Sequence, residues 1–196
     1  MTTLGHAIAY IGAERASGIL IAASVKRLFA ARRLQEIWNH SLDASEAARS
    51  LAKLSRQVKP EEALLAGLVH DIGRLVMALL PDSFQSRASN LLKKGCELSL
   101  VERALCGLTH AELGAKALER WRFPPIFVDA VRFHHQPERS ESPIAAILYL
   151  TERCTNPDED LPSLARSKAA MDRLRLDSDI CYHLDLGARL LNPLRF

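Results

Sequence analysis

Residues 63–80 read ALLAGLVHDIGRLVMALL, and this stretch decides the fold. It is apolar on every side at the 3.6-residue helical period, which in a soluble protein means a helix surrounded by other helices in the core. Its ionisable residues His70, Asp71 and Arg74 therefore need an explanation. A buried carboxylate without a partner costs several kcal/mol, so Asp71 requires a metal ion, an imidazolium or Arg74 beside it. Asp71 and Arg74 are three apart with the acid first, the favourable order for an ion pair on one helix. That pair leaves His70 without a role, although a lone histidine on an apolar helix is more often hydrogen-bonded in the core than bound to metal.

The other histidines bear on this choice. His40 precedes Ala44, Ala47, Leu51, Leu54 and Val58 on one stripe, which turns it inward. His134 follows Phe127, Ala130 and Val131 in the same way. His110 opens a helix after Thr109, a capping residue, and shares a face with Gly114 and Ala117, small enough to let a second helix close in. Five of the seven histidines, counting His135, thus fall in the middle helices and mostly on faces that must be buried. Imidazoles gathered around Asp71 have the donor set of an iron, manganese, zinc, nickel or magnesium site.

Working outward, helical periodicity dominates the chain and no alternating run is long enough for a strand, so the expected class is all-α. Helices are expected at Leu4–Gly12, Ala13–Ala31, Leu34–Val58, Glu61–Leu80, Asp82–Lys94, Ser99–Cys106, Ala111–Trp121, Pro125–Gln136, Pro143–Cys154, Leu164–Leu174 and Ser178–Leu191. Prolines 60, 81, 124, 137, 143, 157 and 162 separate them, and Gly95 suits a left-handed cap. Residues 156–160, NPDED, read as a longer acidic connection, after which residues 156–196 form a short C-terminal helical appendage packing on the core.

Composition excludes several classes. With 48% apolar and 25% charged residues, the 196-residue chain is neither disordered nor membrane-embedded, and one domain is the default. A net charge of +3 is too balanced to imply nucleic-acid binding, and the basic cluster Lys26, Arg27, Arg32 and Arg33 lacks interleaved aromatics and reads as a solvated helix face. Cys96, Cys106, Cys154 and Cys181 have no paired spacing, which suits a reducing cytoplasm, and no targeting segment is legible.

The segment ALLAGLVHDIGRLV resembles the HD signature, and its surroundings resemble the HDOD variant: IWNHSLDASEAARSLA before it, LTHAELGAKALERWRFPPIFVDAVRFHHQPE after it. The resemblance covers residues 1–155 and implies an HD-type multi-helix bundle, with residues 34–155 as the HD core and 1–33 as the remnant of a longer N-terminal part. It implies metal-ligand roles for His40, His70 and Asp71, and for His110, His134 and His135 at the second metal of two-metal relatives. Where those relatives close the site with aspartate, this chain offers Glu152, which shares an inward stripe with Ala145, Leu148 and Tyr149. Where they carry lysine, it has Arg74, which cannot donate a proton near neutral pH. The glycine-tyrosine-proline triplet of the cyclic-dinucleotide phosphodiesterases is absent from HHQPERSES.

The resemblance implies a cytoplasmic signalling or regulatory module that binds a divalent metal or a nucleotide or phosphate ligand. The rival is a metal-dependent phosphohydrolase with Asp71 and Arg74 as candidate catalytic residues and Arg74 or Lys53 neutralising phosphate, and a third reading is a ligand-free scaffold. The amphipathic stretch Leu4 to Ala31, short of its customary cover, favours a homodimer or a regulatory protein partner.

Overall fold

The computed structural model describes residues 34–155 and 164–177. The helices expected at Leu4–Gly12, Ala13–Ala31 and Ser178–Leu191, the basic cluster Lys26 to Arg33 and the acidic connection lie outside the described residues. Within them all regular structure is helical: α1 (Gln35–Ser55), α2 (Pro60–Val69), α3 (Ile72–Ala78), α4 (Asp82–Lys93), α5 (Leu98–Cys106), α6 (His110–Arg120), α7 (Pro125–Arg132), a 3-10 turn (Pro137–Arg139), α8 (Pro143–Thr155) and α9 (Leu164–Leu174).

Local sequence sets most boundaries. α2 starts on Pro60 at its first turn, with Glu61 and Glu62 facing the positive end of the helix dipole. α6 starts with a reciprocal capping box: the Glu112 backbone N–H donates to Thr109 Oγ1 at 3.3 Å and the Thr109 N–H donates to Glu112 Oε2 at 2.9 Å. α5 stops at Gly107, whose φ of 76° lets its N–H return to the Arg103 carbonyl at 2.9 Å. Gly95, after α4, is left-handed as its sequence context predicts.

The core is held by α8, in which every residue from Ile144 to Glu152 is buried. Around it pack α1, α2, α7 and α9, contributing Leu51, Ala63, Ala66, Phe127, Ala130 and Leu174. A second apolar cluster joins Leu34, Trp38, Val69, Ile72, Leu75, Leu118, Val128 and Val131. Glycines allow two close crossings. A Cβ on Gly67 would stand 2.7 Å from the Ala44 carbonyl oxygen of α1, and one on Gly73 would stand 1.9 Å from the His110 carbonyl oxygen of α6. Gly114, on the small-residue face expected of α6, lies against Gly73 and Ile72. α9 is tied to the loop after α7 by Arg173, whose guanidinium donates to the carbonyls of Ser140 (2.5 Å), Pro137 (3.3 Å) and Glu141.

Four expectations need correction. Residues 61–80 are two helices rather than one: His70 and Asp71 form a turn in which Asp71 takes φ −96°, ψ 15° and its carbonyl accepts from the Arg74 N–H at 2.9 Å. Consecutive residues on an unbroken helix point about 100° apart, and the turn lets both side chains face the same cavity. The stretch is not buried all round either, because Val76 and Leu79 are exposed. Leu54 is exposed on α1 rather than inward, with Ser55 taking the buried position. The helix expected to reach Gln136 ends at Arg132, leaving His134 and His135 in a turn. No single helix among the described residues is long and apolar enough to cross a membrane.

Candidate metal centre

Five parts of the fold deliver the histidines and acids to one place. His40 comes from α1, His70 and Asp71 from the turn between α2 and α3, His110 from the first position of α6, His134 and His135 from the turn after α7, and Glu152 from α8. His70, Asp71, His110, His134 and Glu152 are buried, while His40 and His135 are partly covered. Neighbouring rings stand 4.0 to 5.4 Å apart between centroids.

Hydrogen bonds fix which ring nitrogen looks inward. A carbonyl can only accept, so His70 Nδ1 must donate to the Gly67 carbonyl at 2.7 Å and His134 Nδ1 to the Val131 carbonyl at 2.7 Å. His110 Nδ1 donates in the same sense to the Glu102 carboxylate, at 2.8 and 2.9 Å from its two oxygens, and Glu102 also accepts the His110 backbone N–H at 2.8 Å. In the neutral rings each Nε2 is then a lone pair. These three Nε2 atoms surround Asp71 Oδ1, at 3.7 Å (His70), 3.5 Å (His110) and 3.9 Å (His134), and His40 Nε2 is 3.5 Å from Asp71 Oδ2.

The arrangement brings acceptors against acceptors. Glu152 Oε1 lies 2.7 Å from His70 Nε2 and 3.0 Å from His40 Nε2, and the two imidazole Nε2 atoms lie 3.3 Å apart. His110 Nε2 and His135 Nε2 are 2.8 Å apart. His134 Nε2 is buried and has no hydrogen-bond partner. Something positive must stand among such groups: a proton or a metal ion. Two ligand sets meet the spacing: His40, His70 and Asp71 in one, His110, His134 and His135 in the other, each with donor atoms within 4.8 Å of one another. Ligands about 2.1 Å from one ion stand roughly 3–3.5 Å apart, close to the separations found here. The residues therefore fit a divalent metal, with Asp71 between the two sets.

Electrostatics divides the histidines. Burial works against a charge on His70, but the Asp71 and Glu152 carboxylates outweigh it and raise its pKa to about 9. Asp71 and Glu152 stay well below the usual carboxylate range despite burial, the first through Arg74 and the surrounding histidines, the second through His70 and His40. His134 is pushed well down by burial and by its imidazole neighbours, and His135 is pushed down to about 4 by burial and His110. These two rings are neutral and ready to act as ligands near neutral pH.

Arg74 lies at the margin of the cluster, its Nη1 3.0 Å from Asp71 Oδ2, so the ion pair predicted from the sequence coexists with the histidines. Lys53 is exposed near the end of α1. Sequence reasoning missed Glu102. Its signal was present: Leu98, Val101, Glu102 and Leu105 share one face of α5, so a carboxylate sits on an apolar stripe.

A turn-broken HD pair ringed by histidines, inside an all-helical bundle, defines an HD-type domain. The profile of the HDOD domain matches residues 1–137, and the chain belongs to the HDOD family. The fold is similar to that of an HDOD domain protein from Geobacter sulfurreducens, with a TM-score of 0.78 and 19% identity over 96% of this chain and 72% of that one. It is also similar to the MmoQ response regulator from Methylococcus capsulatus, with a TM-score of 0.57 and 25% identity over 94% of this chain and 75% of that one. By sequence, 142 residues are 26% identical to ribonuclease Y of Opitutus terrae, covering 71% of this chain and 22% of that protein. The chain spans 18% to 30% of the length of the curated relatives it matches.

Proposed function

We propose that this domain is a signal-transduction module whose HD cluster holds a divalent metal as a regulatory or structural ligand. One observation carries the reading. His70, His110 and His134 each commit Nδ1 to an oxygen and turn Nε2 toward Asp71, and His134 Nε2 has no partner of its own. A carboxylate or carbonyl on the far nitrogen is the arrangement that orients metal-bound histidines and raises their basicity. His40, His70, Asp71 and Glu152 would hold one ion, and His110, His134 and His135 a second. A ligand role for Glu152 in place of an aspartate is supported by its Oε1, which meets both His40 and His70.

A regulatory role is favoured over turnover by Arg74, which stays charged near neutral pH and cannot supply a proton, and by the missing glycine-tyrosine-proline triplet after His135. The likeness to a protein described as a response regulator points the same way. Elemental analysis of the freshly purified protein against the His70→Ala/Asp71→Ala variant tests the reading. Stoichiometric metal in the first and none in the second is expected, and a metal-free wild type that takes up none from manganese, iron, zinc or nickel solutions rejects it.

A second reading, metal-dependent phosphohydrolase, is supported by the second histidine set and by the likeness to proteins named ribonuclease Y. A bound ion would there supply Lewis acidity toward phosphate oxygens and lower the pKa of water. Steady release of phosphate or of a phosphodiester product by the metal-loaded protein, abolished by Asp71→Asn, would favour this second reading.

A further inference from the structure

α6 and α7 pack together as a helical hairpin whose two ends differ. His110 begins α6, and His134 and His135 follow α7, so the open end carries the second histidine set. The tip, residues 121–126, begins roughly 16 Å along the α6 axis from His110. At this tip apolar residues face water: Trp121 is 47% exposed and Ile126 43%, and Pro124 and Pro125 between them are exposed as well. Apolar side chains scattered singly over a surface need no explanation, but here they are concentrated in one short loop.

The backbone of the tip is tied down. α6 ends in a Schellman motif, in which the Phe123 N–H donates to the Leu118 carbonyl and the Arg122 N–H to the Glu119 carbonyl, both at 3.0 Å. The left-handed position of that motif is held by Arg122, with φ 58°, where glycine is the unstrained choice. Phe123 packs inward against both apolar clusters, 6.3 Å from the Phe127 ring, and Pro124 and Pro125 set the entry to α7. Trp121 is thus presented on an ordered backbone, and a partner would not have to order it on binding.

The surroundings are basic. Lys116 and Arg120 lie one turn apart and exposed on α6, and exposed Arg122 follows, while the one acid of residues 116–126, Glu119, is taken by Arg132 at 2.6 Å. Among the described residues no carboxylate pairs with Lys116, Arg120 or Arg122. Cations in the last turn of a helix suit its dipole, but the dipole does not account for an uncovered indole beside them. We infer that the tip of the α6–α7 hairpin docks an acidic segment of a partner protein that carries a large apolar side chain. The apolar group packs on Trp121 and Ile126, and the carboxylates meet Lys116, Arg120 and Arg122. Tryptophan and arginine are the residues that most often dominate the binding energy of protein interfaces. A single-stranded nucleic acid shares the charge, but it stacks its bases on successive rings, and this tip offers one exposed ring beside prolines and an isoleucine. The inference is independent of any bound ion.

A library of random peptides displayed on phage, selected against the full chain, tests this. The peptides recovered are expected to be rich in aspartate and glutamate around a tryptophan, phenylalanine or leucine. The chain has two tryptophans and Trp38 is buried, so emission open to iodide quenching reports Trp121. A synthetic, tryptophan-free copy of a selected peptide should shift that emission to the blue and shield it from iodide, and should bind more weakly as salt rises from about 0.05 to about 0.5 M. Trp121→Ala should weaken binding about tenfold or more, with the melting temperature and metal content little changed. Lys116→Glu/Arg120→Glu should do the same, and selection repeated on that variant should recover basic peptides in place of acidic ones; this arm decides if Trp121→Ala does not fold. No enrichment, or enrichment of neutral or basic sequences on the natural chain, overturns the inference. So do acidic peptides that bind Trp121→Ala undiminished or leave Trp121 open to iodide. An oligouridylate that shields Trp121 at lower concentration than the selected peptide also overturns it and assigns the tip to nucleic acid.

Discussion

Adding one methyl group at Gly73 tests the link between helix packing and the metal centre. In Gly73→Ala the new Cβ would lie 1.9 Å from the His110 carbonyl oxygen, 2.7 Å from its carbon and 2.8 Å from the Gly114 nitrogen, all backbone atoms that no rotamer change can move. Non-bonded heavy atoms settle at about 3.5 Å, so α3 and α6 must part by roughly 1.5 Å. Replacing a helical glycine by alanine is worth about 0.5–1 kcal/mol in the other direction, whereas overpacking costs about 1–3 kcal/mol, so a net loss wins. The larger effect falls on the site. Asp71 and His110, which belong to neighbouring ligand sets and now stand 3.5 Å apart between Oδ1 and Nε2, are each displaced relative to the other members of their own set, and metal sites tolerate only about 0.2 Å in ligand distance. Metal titration and thermal unfolding, measured together, should show lost or much weakened metal binding and a lower melting temperature. Gly95→Ala is the control: nothing lies within 4 Å of its Cβ, but its φ of +81° makes alanine unfavourable by about 1–2 kcal/mol. It should destabilise without touching metal uptake. A Gly73→Ala protein that binds metal as the natural chain does would refute the reasoning.

The metal-free protein should have a stability maximum near pH 6.5. His70 is raised from 6.5 to about 9, so its contribution is complete below 6.5 and is lost as pH climbs through 9; His135 is lowered from 6.5 to about 4, so stability rises with pH between 4 and 6.5. Denaturant unfolding across pH checks this, and metal loading should remove the alkaline decline, because the ion replaces the proton on His70. In Asp71→Asn the His70 pKa should fall from about 9, read by NMR titration; a value unmoved would mean that Glu152 alone sustains it. Glu102→Gln should weaken metal binding about 10–100-fold with Glu102→Asp in between, and equal affinities in all three would remove Glu102 from any orienting role.

Much of this site was legible because burial makes polar residues conspicuous. His40 shares a helical stripe with apolar residues, and periodicity turns it inward, whereas His70 and His134, expected inward on the same kind of argument, reach the cluster from turns. That they meet at Asp71 could not be read the same way, since it depends on α2 crossing α1 and α3 crossing α6 at distances set by Gly67, Gly73 and Gly114. The turn at His70 and Asp71 was hidden for a related reason: the local sequence favours an unbroken helix, and the tertiary contacts of its two polar residues override it. Glu102 stood out on the apolar stripe of α5, but its partner His110 lies across the turn at Gly107, and the stripe does not say what the carboxylate meets.

Arg173 deserves a last consequence. By donating to the carbonyls of Pro137, Ser140 and Glu141, it fastens α9 to the segment that follows His134 and His135. The geometry of the second histidine set is therefore answerable to whatever α9 is attached to. A displacement of that helix would reach the imidazoles through the Arg173 guanidinium, in parallel with the Arg166–Glu138 pair and the packing of α9 on α8, giving the bundle a mechanical lead from its periphery to its chemistry.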